Sequence, residues 1–164
     1  MSRGKDQVGN FASTGGWTLG KKPPMDLFAS FSFLPLSEDQ QARLVKVASS
    51  VYRPCCDNPT DFPDCNHGMA MLGLLEIMAA KNASEEEMFN AAKYVNAYWF
   101  PQQTLEIATL FKASQNVSFS KANASLVVSR EYSSGTGFRN VHQWMGENGL
   151  LEQTPNGGGS CGVQ

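Results

Sequence analysis

Two capping boxes and two prolines cut the middle of this chain into helices. Ser37 to Gln40 (SEDQ) and Ser84 to Glu87 (SEEE) each place a hydroxyl where it accepts from a first-turn amide, and a longer side chain where it reaches back to the cap. Pro54 cannot donate an i to i−4 bond and biases Arg53 out of the helical region, so the helix begun at Ser37 must end near residue 52. Pro101 suits the first position of a new helix, since its missing N–H has no intrahelical partner there.

Apolar periodicity fills the intervals. Leu44, Val45, Val47, Ala48 and Val51 give a first helix over about 38–52, and Met69, Ala70, Leu72, Leu74, Leu75, Ile77 and Met78 cover most of the circumference of a second over 66–81. The second reads as the central helix of the fold. A third runs from Glu85 to roughly Phe100, and a fourth from Pro101 carries Leu105, Ile107, Ala108, Leu110 and Phe111. NVSFS and ASLVVSREY show β-branched residues in short alternation, which permits a two-stranded hairpin, and GFRNVHQWMGENG predicts a last short helix closed by Gly146 or Gly149. The expected fold is mainly α, a small bundle of about four to five helices.

Flanking segments have another character. Residues 1–36 mix Gly, Ser and Pro with aromatics and read as an irregular arm whose Trp17, Phe28, Phe31 and Phe33 dock on the core. Residues 37–150 form the expected single helical domain, with a Cys/His loop at 54–67, and 151–164 read as a flexible Gly-rich tail holding Cys161. The ending CGVQ also matches a C-a-a-X prenylation box.

Composition removes several function classes. Thirteen Lys and Arg against fifteen Asp and Glu give a net charge of −2 without a basic block, which argues against nucleic acid as a partner. The longest apolar run, GMAMLGLLEIMAA, is shorter than the ~20 residues a membrane helix needs and contains Glu76, so no transmembrane segment is expected. The N-terminus lacks the roughly 7–15-residue apolar stretch of a signal peptide. The chain reads as a soluble protein, cytoplasmic or, where a leader has been removed, extracytoplasmic. No phosphate-cradling loop, nucleophile elbow or H-E-x-x-H helix is present, which disfavours an ordinary hydrolase or nucleotide enzyme.

The chemistry concentrates in the loop. Cys55, Cys56, Cys65 and His67 fall within thirteen positions as C-C-x8-C-x-H, three of the chain's four cysteines and one of its two histidines. Four soft or borderline donors are the number a closed tetrahedral site requires. Pro54, Pro59 and Pro63 constrain the segment, and Cys65 precedes a helix whose unpaired amides favour its thiolate. Met69 and Met71 are candidate soft additions that would suit copper(I), and Cys161 a candidate ligand from the tail. Copper or zinc is more economical than an iron–sulfur cluster, although Cys161 or His67 could complete one; haem also stays open despite the missing C-x-x-C-H. Adjacent cysteines do not easily bite one ion with both sulfurs, so two metals or one spare cysteine must be weighed.

Other readings compete with the metal site. A free cysteine is often a small buried hydrophobe and methionine on a core helix is usually packing. In a thiol–disulfide protein, Cys55 or Cys56 would be the nucleophile, Cys65 its partner at the helix start and Cys161 a mobile resolving thiol. In an interaction or structural subunit, the N-terminal arm would dock on a protein partner and the cysteines would only steady the fold.

From Tyr52 to Val95, the run YRPCCDNPTDFPDCNHGMAMLGLLEIM and then ASEEEMFNAAKYV resembles the bacterial PCYCGC-motif proteins, often lipoproteins, over about residues 52–97. The shared features are a Pro-Cys cluster, a later Asp/Asn-Cys, a His-Gly opening a helix and a second amphipathic helix. The resemblance implies a small helical, metal-handling domain with Cys55, Cys56, Cys65 and His67 at the matching positions. This chain has P-C-C in place of the full motif, and Met69 and Met71 stand where the family has further cysteines. The leading expectation is a metal-binding protein serving metal handling, sensing or electron transfer; were the chain an enzyme, a thiol–disulfide oxidoreductase is expected.

Overall fold

The computed structural model describes residues 8–11, 21–27 and 30–151, which form a small, mainly helical bundle. Trp17, Phe28 and Cys161, with nearly all of the expected tail, lie outside the described residues. The described helices are α1 (Pro24–Leu27), α2 (Glu38–Ala48), α3 (Asn66–Ala80), α4 (Glu85–Trp99), α5 (Pro101–Gln115), α6 (Ala124–Val127), α7 (Arg130–Ser133) and α8 (Gly135–Glu147). No strand occurs among the described residues.

Helix boundaries follow the local chemistry. Both capping boxes close: Ser37 and Ser84 accept from the amides of Gln40 and Glu87, whose side chains accept from the cap amides. Pro101 stands at the first position of α5. α2 stops at Ala48, short of the expected residue 52, because the next backbone groups are claimed elsewhere: the carbonyls of Ala48 and Val51 accept from Asp61 and Thr60, and the Tyr52 amide donates to Val128. α3 ends in a Schellman arrangement, with Asn82 at φ 60° and the Ala83 amide on the Met78 carbonyl. α8 ends likewise at Gly149, φ 66°, with the Leu150 amide on Met145.

Two apolar clusters form the interior. One joins Leu44, Val47, Ala48 and Val51 to Met71, Leu72, Leu75 and Ala79 of α3, Met88 and Ala92 of α4, and Val128. The other packs Ile107 and Phe111 of α5 against Ala122, Val127, and Val141 and Met145 of α8. The central helix is α4 rather than the expected α3: α4 touches α2, α3, α5 and α6. α3 leaves Ile77 51% exposed, so its all-round apolar surface is only partly used. Buried Lys93 of α4 donates to the carbonyls of Phe119 and Ala122 at 3.2 and 3.3 Å, tying the turn after α5 to the bundle.

The expected hairpin is replaced by the helical turns α6 and α7. The Asn123 side chain caps α6 by accepting from the Leu126 amide, and Ser133 donates to the Val127 carbonyl, so local polar groups satisfy this backbone while Val127 and Val128 are buried in the clusters. Tertiary burial overrides the β propensity of the valines. The arm also departs from expectation: Phe31 and Phe33 are 68% and 86% exposed and meet each other rather than the core, whereas Leu36 packs against it.

Candidate metal centre

Residues 52–65 are pinned from three sides. The Tyr52 amide bonds to Val128 and its carbonyl accepts from the Asn96 side chain of α4 at 2.8 Å. The Cys56 carbonyl accepts from the Gly135 amide at 2.8 Å, and the Asp57 carboxylate takes both the amide and the hydroxyl of Thr136 at the start of α8. These bonds from Thr136 hold the Asp57 carboxyl below its usual range. α4 and α8 therefore position a segment that has no regular structure of its own.

Within this frame the predicted donors come together. The donor atoms of Cys55, Cys65 and His67 lie within 4.8 Å of one another, and those of Cys56, Asp64 and Cys65 form a second such group. Three donors around one ion, each about 2.0–2.3 Å from it, would stand roughly 3.5–4.0 Å apart, so closure by up to about an ångström would hold an ion. Cys65 belongs to both groups. The three described cysteines are free, with Cys55 exposed and the other two half-buried.

Cys65 is the N-cap of α3, its sulfur accepting from the Gly68 amide at 3.3 Å. Its thiol is pushed down to about 5 by the hydrogen bond from the Cys55 thiol, with the Gly68 amide and the Arg53 charge acting in the same direction. Cys55 moves the opposite way, raised by that same bond and by burial. The two thiols thus titrate as a coupled pair that gives up its first proton more readily than a free cysteine does. The His67 ring lies against those of Trp99 and Phe100, with centroid separations of 5.3 and 5.0 Å, at the junction of α4 and α5, while the residue keeps an exposed side.

Arg53 lies beneath the cluster with no solvent exposure, and sequence reasoning missed it. Its Nη1 donates to Thr60 at 3.0 Å and its Nη2 to the Cys56 sulfur at 3.4 Å, while Asp64 stands 3.7 Å away. Burial opposes its charge, but the sulfurs of Cys56, Cys65 and Cys55 outweigh that and raise its pKa. Asp64, also missed, is held by the Asn58 amide at 2.8 Å. Gly68, in the first turn of an otherwise apolar helix, was the available signal that something approaches closely there.

The two candidate methionines lie on α3, where the Met69 amide bonds to the Cys65 carbonyl. Met71 is fully buried in the first apolar cluster, and Met69 is half-buried on α3. His142 pairs with Glu106 at 2.8 Å between α8 and α5 and belongs to neither donor group. No helix among the described residues is long and apolar enough to cross a membrane. No family model, curated protein or solved structure matches this chain.

Proposed function

We propose that this protein binds a soft transition-metal ion, copper or zinc, at Cys55, Cys65 and His67, and that the site serves metal handling, sensing or electron transfer. The convergence of these three donors on one point carries the reading. Two sulfurs and an imidazole form a donor set suited to copper and zinc, and one sulfur is already a thiolate at neutral pH. Exposed Cys55 gives an ion a way in, and three protein donors leave a coordination position for exchange with a partner or small ligand. The resemblance to the PCYCGC-motif proteins points in the same direction.

The test is anaerobic reconstitution of the full chain with copper(I) or zinc, followed by elemental analysis. Stoichiometric loading should disappear in Cys65→Ser and fall sharply in His67→Ala; retention in both would overturn the proposal.

One observation favours a second reading, the Cys55 and Cys65 sulfurs standing within 4.8 Å of each other. Cys65 thiolate would attack a substrate disulfide and release one substrate thiolate. Cys55, losing its proton, would then displace the second, leaving a Cys55–Cys65 disulfide and a reduced substrate. Turnover of a disulfide substrate by metal-free protein, abolished in Cys55→Ser, would support this alternative.

A further inference from the structure

The two donor groups share Cys65, and one of them already holds a cation. Nη2 of Arg53 is 3.4 Å from the Cys56 sulfur and 3.7 Å from Asp64 Oδ1, two of the three donors in the Cys56–Asp64–Cys65 group. The guanidinium is fixed there. It has no exposure, it donates to Thr60, and Thr60 in turn donates to the Val51 carbonyl at 2.9 Å. Helix α3 closes over it so tightly that a Cβ on Gly68 would stand 2.9 Å from Nη2.

We propose that Arg53 is a built-in cation filling the Cys56–Asp64–Cys65 group, so that the loop takes a single metal ion at Cys55, Cys65 and His67 and selects monovalent copper(I) over divalent ions. This rests on the metal-binding reading above. A guanidinium stays protonated in a protein, so its repulsion grows with every unit of charge on a neighbouring ion. One extra unit at about 5 Å, with an effective dielectric constant of about 20, disfavours a divalent ion on the order of 100-fold. Two sulfurs and an imidazole press in the same direction, since soft donors favour a soft ion. Cys56, whose sulfur accepts from Arg53 at 3.4 Å, then serves as a hydrogen-bond partner of the arginine and not as a metal ligand. This also settles how adjacent cysteines share one loop without both gripping the same ion.

The experiment is anaerobic chelator competition for copper(I) and for zinc on the full chain, with ions per chain counted by elemental analysis. The wild-type chain should hold one copper(I), and Cys56→Ser should keep that loading. Arg53→Met should move the copper-to-zinc affinity ratio on the order of 100-fold toward zinc, whereas Arg53→Lys, which keeps the charge, should stay near the wild-type ratio. Two ions per wild-type chain, loss of loading in Cys56→Ser, or an unchanged ratio in folded Arg53→Met would each overturn the inference. The first two readouts stand even where Arg53→Met does not fold. A wild-type chain that takes up neither ion overturns the metal reading itself, while loading lost in Cys65→Ser with an unchanged ratio in Arg53→Met overturns this inference alone.

Discussion

Gly68 gives Arg53 the room to lie under the cysteine loop: a Cβ on Gly68 would stand 2.9 Å from Nη2 of the arginine and 3.1 Å from the Cα of Pro63. Neither neighbour can give way freely, because Arg53 is wholly buried and Pro63 belongs to the constrained loop. Gly68→Ala should therefore destabilise the fold by about 1–3 kcal/mol, the usual range for overpacking a filled interior, even though alanine is the better helix former. Denaturant unfolding measures it; a gain in stability would show that Arg53 has room to move.

The Cys65 thiolate sets a pH dependence. With its pKa near 5 in the folded chain and an ordinary value of about 8.5 when unfolded, the folded state binds fewer protons between these limits. Its contribution to stability is fully present above the unfolded value and is lost as pH falls through about 5. Thiolate absorbance of the metal-free protein should show one sulfur titrating near that pH, absent in Cys65→Ser. A first thiol titration above pH 8 would contradict the assignment.

Met71 separates packing from ligation. Met71→Leu conserves volume and should cost less than about 1.5 kcal/mol while leaving metal loading intact. Truncation to alanine should cost about 2–5 kcal/mol, since Met71 has no exposure within the first apolar cluster. Loss of loading in Met71→Leu would make the thioether a ligand.

Gly137 ties the candidate site to α8. A Cβ there would run into the backbone carbonyls of Arg130 and Glu131, which cannot rotate aside as a side chain can. Gly137→Ala should cost about 3 kcal/mol or more and, by shifting the start of α8, should speed hydrogen exchange at the Thr136 amide that Asp57 holds. Exchange unchanged from wild type would mean that the loop does not depend on α8 for its position.

Capping chemistry made the bundle legible. Ser37, Ser84 and Pro101 mark helix starts by local bonding alone, and the structure realises all three. What escaped was decided at long range. Val127 and Val128 look like strand residues until Asn123 caps a turn and the two clusters bury them, and the end of α2 depends on Thr60 and Asp61 returning to its last carbonyls. In the candidate site, Cys65 at a helix start was readable from position, and its nearness to Cys55 and His67 is what a short proline-bounded loop allows. Arg53 was not readable, because an arginine before a proline looks like a helix end. Only its burial under Gly68 makes it part of the cluster.

The most direct measurement is X-ray absorption spectroscopy at the metal edge of the copper-loaded full chain. A first shell of two sulfurs, near 2.3 Å, and one imidazole nitrogen is expected, with the sulfur contribution reduced in Cys65→Ser and unchanged in Cys56→Ser. A shell of oxygen and nitrogen donors alone, or one whose sulfurs survive Cys65→Ser, would contradict this ligand set.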